Sequence, residues 1–150
     1  MSALRASIFS LVGALLLPLC ALSNSDSPQP TAWPVANGQV LATFGGKHHG
    51  IDIGAEAGTP VHAFAAGTVL AVETTRHCGQ QLRIRHADGA VSLYCNLSGV
   101  RVAAGDAVAR DSVLGAVAPA AGGKKPHLHF ELKIGDEKVD PLPHLPRMTT

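Results

Sequence analysis

Leu82-Arg83-Ile84-Arg85-His86-Ala87-Asp88-Gly89-Ala90-Val91-Ser92-Leu93-Tyr94-Cys95 is the stretch whose reading decides the fold class. Residues 82–86 alternate apolar and polar side chains with a period of two, as a strand with one buried face requires. Residues 91–95 form a second short run of strand-forming side chains. Between them Ala87-Asp88-Gly89 reverses the chain, because glycine reaches positive φ without steric cost and Asp-Gly suits a hairpin. The stretch predicts two antiparallel strands.

Outward from this hairpin the same punctuation recurs. Short β-branched or alternating runs at residues 40–42, 61–64, 68–72, 100–102, 113–117 and 128–134 predict further strands. Gly45-Gly46, Gly58-Thr59-Pro60, Ala104-Gly105-Asp106 and Gly122-Gly123 supply the turns between them. No stretch longer than about a dozen residues keeps a clean helical period beyond the N-terminal apolar run. The expected fold is therefore all-β: an antiparallel sandwich or barrel-like single domain. A chain of 150 residues holds one such core and is too short for two once a targeting segment is set aside.

Residues 1–23 have the make-up of a targeting segment. Arg5 is their one basic residue, and the apolar run over residues 8–22 is broken only by Ser10, Gly13 and Pro18. The run is short for a membrane span, and Ala21 and Ser23 are small residues at the positions signal peptidase reads. A secretory signal cleaved after Ser23 is expected, placing the mature chain in the periplasm or outside the cell. An uncleaved N-terminal anchor is the alternative. Cys20 does not make a lipid-attachment signal, since Leu19 stands where a small residue is wanted. Residues 24–34, rich in Ser, Pro and small polar side chains, are expected as a tether, followed by the domain over residues 35–145 and a tail over 146–150. Beyond the signal Cys78 and Cys95 remain, and an even count in an exported chain favours a disulfide over two free thiols.

Charge narrows the partners. Twelve Lys and Arg against eleven Asp and Glu give a net charge of +1, and the cations are scattered. This is not the basic stripe of a nucleic-acid binder.

The histidines carry the functional signal. There are eight, and His48, His49, His86, His127 and His129 lie in predicted strands or at their mouths. A single strand histidine is more often a hydrogen-bonded, partly buried side chain than a ligand, so spacing has to decide. In His127-Leu128-His129 the two imidazoles share one strand face while Leu128 packs on the other. His48 and Asp52, four apart around Gly50 with Ile51 and Ile53 as apolar neighbours, likewise share a face in extended chain. A catalytic zinc takes three ligands from His, Asp or Glu and leaves a fourth position to water. His48, Asp52 and one of His127 and His129 meet that count.

In context these fragments read Gly45-Gly46-Lys47-His48-His49-Gly50-Ile51-Asp52-Ile53-Gly54, then Gly58-Thr59-Pro60-Val61 and Ala65-Ala66-Gly67-Thr68-Val69, and later Pro126-His127-Leu128-His129-Phe130-Glu131. The chain resembles the lysostaphin-like (LytM-type) peptidoglycan peptidases over nearly all of residues 38–143. Leu82 to Gly89, Gly105-Asp106-Ala107-Val108, Leu114-Gly115 and Val139-Asp140-Pro141 match as well. The resemblance implies an antiparallel β domain of the duplicated hybrid motif type with a cleft. It implies Zn2+ as cofactor on His48, Asp52 and His129, with His127 as the catalytic histidine that takes up or steers the proton of the attacking water. The implied substrate is the peptide part of bacterial cell wall.

Two departures stand out. Where the family usually has Tyr-x-His-Leu, this chain reads Tyr94-Cys95-Asn96-Leu97, so Asn96 occupies the position of a second catalytic histidine. Asparagine donates a hydrogen bond but cannot become a cation, and weak activity is the expected consequence. The loop before His127 carries Gly122-Gly123-Lys124-Lys125 where the family favours Thr, Gly and Ser, which bears on substrate preference. A zinc endopeptidase is expected; the alternative is a non-catalytic zinc-binding module that binds or regulates another cell-wall hydrolase.

Overall fold

The computed structural model describes residues 30–148. The expected signal over residues 1–23 and most of the expected tether lie outside the described residues. Ten strands follow one another: β1 (Gln39–Ala42), β2 (Ile51–Gly54), β3 (Pro60–His62), β4 (Gly67–Thr75), β5 (Gly79–His86), β6 (Val91–Ser98), β7 (Ala107–Val108), β8 (Val113–Val117), β9 (His127–Ile134) and β10 (Glu137–Val139). The helical content among the described residues is one 3-10 turn, Leu142–His144. None of their helices is long and apolar enough to cross a membrane.

All pairings are antiparallel, and the main path runs β1-β2-β9-β6-β5-β4-β7, with β10 on β9 and β8 joining β3 to β6. The all-β antiparallel class stands, and the strands form one ten-stranded sheet that does not close into a barrel. The deciding hairpin is β5–β6, with Ile84 opposite Ser92 and Arg85 opposite Val91. β2 was not among the predicted strands, although its Ile51 and Ile53, read as alternating apolar neighbours in extended chain, are completely buried. The strand expected at residues 100–102 is a correction. Arg101 N donates to Leu114 O at 2.9 Å, on β8 but short of the Ala116 and Val117 to which β6 pairs. No ladder extends there, and Val100 and Val102 only pack against the core.

Burial explains the alternation. Leu128, Phe130 and Leu132 of β9 go inward with Ile51, Ile53, Leu82, Ile84, Tyr94 and Leu114, all at most 1% exposed. Phe130 sits between Tyr94 and Phe64, ring centroids 5.2 and 5.5 Å apart. His86 is a hydrogen-bonded core residue of the ordinary kind: Nδ1 donates to Ala66 O at 2.9 Å, and Nε2 is 2.8 Å from Ser92 Oγ. Burial pushes its pKa down. Residues 31–34 lie along the body: Ala32 N donates to Phe64 O, His62 N to Pro34 O, and Trp33 Nε1 to Pro146 O.

Tyr94 is the only tyrosine in the chain, which makes it a reporter of this core. Its hydroxyl accepts from Phe64 N and bonds Ser92 Oγ, and burial pushes its pKa up to about 12. The unfolded phenol ionises near 10, so the folded state holds its proton longer, and stability complete below pH 10 is lost as pH rises toward 12. Two pH units correspond to roughly 3 kcal/mol. In a titration at 295 nm the phenolate signal is expected to appear together with loss of far-UV circular dichroism; phenolate forming near pH 10 in a folded chain would contradict this packing.

Candidate metal centre

The register of three strands brings the site together. β2 and β9 pair with Asp52 opposite His129 and Gly54 opposite His127, and β6 and β9 pair with Cys95 opposite His129. With Leu128, Phe130 and Leu132 inward, His127, His129 and Glu131 must share the outer face. His48 joins from the turn before β2, where Gly45 and His48 form an isolated antiparallel bridge. Gly50 fits between them because it has no Cβ: one placed there would collide with the Phe130 carbonyl oxygen and approach His129 Cε1 to 3.1 Å.

His48, Asp52 and His129 each offer a ligand atom, all within 4.8 Å of one another. The second nitrogen of each ring has an acceptor of its own. His48 Nδ1 lies 2.9 Å from Thr43 O, which only accepts, so Nδ1 carries the hydrogen and the Nε2 lone pair faces Asp52 Oδ1 at 3.1 Å. His129 meets a carboxylate at each nitrogen, Nε2 lying 3.2 Å from Glu131 Oε1 and Nδ1 2.7 Å from the same Asp52 oxygen, so with the hydrogen on Nε2 its Nδ1 is free to ligate. Three potential ligand atoms therefore converge, an arrangement that repels itself unless a proton or a metal cation stands among them. Two imidazole nitrogens and a carboxylate oxygen, with outer hydrogens on a carbonyl and a carboxylate, are the donor set and outer shell of a catalytic zinc site. The residues fit the ion.

Their electrostatics agree. Burial alone would raise the Asp52 carboxyl, but the hydrogen bond and charge of His129, with His127 and His48, outweigh it and hold the pKa below the carboxylate range. Burial likewise disfavours the His129 cation, yet Glu131 and Asp52 pull its pKa above the usual value. Glu131 is held low against its own burial by His129 and by Lys138, whose Nζ lies 2.8 Å from Oε2.

His127 and Asn96 stand beside this cluster. His127 Nδ1 donates to Lys125 O at 2.8 Å, so Nε2 is the free acceptor; it takes a hydrogen bond from Asn96 Nδ2 at 3.2 Å and lies 4.0 Å from Asp52 Oδ2. Asn96 reaches the site through a bulge. Gln80 pairs with Leu97 and Leu82 with Tyr94, leaving Cys95 and Asn96 together opposite Gln81. Asn96 has φ 64°, a conformation in which Asn, Asp and His are enriched, and the bulge turns its side chain out of the core face. Cys78 and Cys95 form a disulfide, Cα atoms 4.9 Å apart, and Asn96 N donates to Cys78 O at 2.8 Å. The link closes a short loop, for which a contribution of roughly 3 kcal/mol is typical.

All five residues named from the sequence, His48, Asp52, His129, His127 and Asn96, line one cleft of about 680 Å3. His49 is exposed and does not line it. Glu131, the orienting partner of His129, received no role from the sequence; its place two residues after His129 on the same strand face was the available signal. Glu131→Ala is expected to weaken zinc affinity about 10- to 100-fold while leaving the fold intact, a change read by competition with a chromophoric chelator.

Residues 46–141 match the model of peptidase family M23. The chain is 38% identical over 95 residues to the DD-carboxypeptidase/endopeptidase Mpg of Neisseria meningitidis, a match covering 63% of this chain and 22% of that protein. Among solved structures, a zinc containing peptidase from Vibrio cholerae superposes with a TM-score of 0.69 at 25% identity, covering 75% of this chain and 39% of that one. Lysostaphin from Staphylococcus simulans gives a TM-score of 0.69 at 26% identity, covering 79% and 53%. The chain belongs to peptidase family M23. Within that class it is similar to peptidases of the lysostaphin type, and it spans about a fifth of the length of the Mpg relative.

Proposed function

We propose that this chain is an exported zinc metalloendopeptidase that cuts the peptide part of bacterial peptidoglycan, at a rate reduced by Asn96. The convergence of potential ligand atoms from His48, Asp52 and His129, all within 4.8 Å of one another, is the observation that carries the reading. Zn2+ held there supplies Lewis-acid chemistry, polarising a carbonyl and lowering the pKa of water to about 7. The rest falls to the chain's own groups. His127 presents its Nε2 lone pair into the cleft, fixed by the Lys125 carbonyl, and takes the proton of the attacking water. Asn96 Nδ2 hydrogen-bonds that nitrogen between turnovers and is the group placed to donate to a developing oxyanion. Glu131 and Lys138 keep His129 in its ligating tautomer.

Asn96 also favours a second reading, in which the same metal site serves a non-catalytic module that binds or regulates another cell-wall hydrolase. One experiment separates the two. Mature protein is expected to purify with about one zinc per chain and to solubilise purified sacculi slowly, with activity lost to a chelator and restored by Zn2+. Bound zinc without released peptides, even in the Asn96→His variant, favours the regulatory reading.

A further inference from the structure

The cleft carries two cations that the proposed chemistry leaves unused. Arg76 and Lys124 both line it, each at the exposed end of a different loop. Its acids are already engaged: Asp52 by the histidines, and Glu131 by His129 and Lys138. Glu73, the acid nearest Arg76 in sequence, is held by Gln81 and Arg83. Among the described residues neither Arg76 nor Lys124 forms an ion pair.

Both loops are anchored where they meet the site. Arg76 begins the turn between β4 and β5, whose Cys78 is bonded to Cys95, donates from its backbone to Thr75 Oγ1 at 3.1 Å and accepts from Asn96 N. Lys124 follows Gly122 and Gly123, at φ 68° and 74°, and precedes Lys125, whose carbonyl holds His127. The other cleft wall near Lys124, residues 118–121, is uncharged. With neutral histidines the lining charges balance, Arg76 and Lys124 against Asp52 and Glu131, so a divalent ion at the triad leaves a net positive cleft.

We propose that Arg76 and Lys124 form a carboxylate-binding subsite, which makes the preferred substrate a peptide bearing a free carboxylate near the scissile bond. The inference rests on the peptidase reading and goes further by naming the charge class of the substrate. The carboxylate comes either from a peptide C-terminus or from an acidic side chain, and both present the same planar pair of oxygens to a guanidinium and an ammonium.

The test is calorimetric titration of the zinc-loaded protein with three probes. These are acetyl-D-Ala-D-Ala, its C-terminal amide, and an amidated peptide of the same length carrying one D-Glu side chain. At least one acid is expected to bind about tenfold more tightly than the neutral amide, with the preference shrinking as salt rises. The stronger acid identifies the source of the carboxylate. In Arg76→Ala/Lys124→Ala the three probes are expected to bind alike, while Arg101→Ala, an exposed cation outside the cleft, keeps the preference. Equal binding of all three by the native chain, a preference that survives in the double variant, or no binding of any probe overturns the proposal. Sacculus solubilisation and zinc content measured in parallel show whether the peptidase reading falls with it.

Discussion

Replacing Asn96 by histidine is expected to raise the rate of sacculus solubilisation by roughly a hundred- to a thousandfold, the range found for single oxyanion-stabilising donors and equivalent to about 2.7 to 4 kcal/mol. The argument is local. Asn96 Nδ2 already lies 3.2 Å from His127 Nε2, at the edge of the metal cluster. A neutral amide there donates a hydrogen bond but no positive charge, whereas an imidazolium adds both to a developing oxyanion. The backbone tolerates the exchange because histidine, like asparagine, is enriched at the positive φ that Asn96 adopts. The gain is expected in kcat, since it stabilises only the charged transition state. An unchanged rate in a folded, zinc-loaded variant would remove Asn96 from the catalytic account.

Asp52→Ala is expected to have the opposite and largest effect: bound zinc falling from about one per chain to a small fraction, and activity falling by at least about a thousandfold. Asp52 is the centre of the cluster, with His48 at 3.1 Å and His129 at 2.7 Å from the same oxygen. Its loss removes the single anionic ligand and leaves two imidazoles without a common partner. The side chain lies on the solvent face of β2 and is 23% exposed, so the core strands Ile51 and Ile53 anchor should persist. Metal analysis together with circular dichroism checks both halves. Retained zinc at native stoichiometry would mean the ion is bound elsewhere.

Much of this architecture was legible because alternation maps directly onto burial. Leu128, Phe130 and Leu132 announce which face of β9 is core, and that alone puts His127 and His129 on one side. The Asp88-Gly89 turn, with Gly89 at φ 84°, announced the β5–β6 pairing through turn chemistry. What escaped were features set by long-range pairing. β7 and β10, of two and three residues, hold their place only through the neighbours they bond. Residues 100–102 have strand-forming side chains but reach β8 through the single Arg101 to Leu114 backbone bond, too little for a ladder. Asn96 reads as a plain strand position in sequence, while the bulge opposite Gln81 is what aims it at the cleft. Glu131 acquires its role only once β2 and β9 bring Asp52 to the other nitrogen of His129.

The most direct test of the account is anomalous diffraction at the zinc edge from crystals grown with one equivalent of Zn2+. The account predicts a single peak about 2.0 to 2.2 Å from His48 Nε2, an Asp52 carboxylate oxygen and His129 Nδ1, with His127 and Asn96 adjacent but unligated. A peak at other residues, or none between these three side chains, would contradict it.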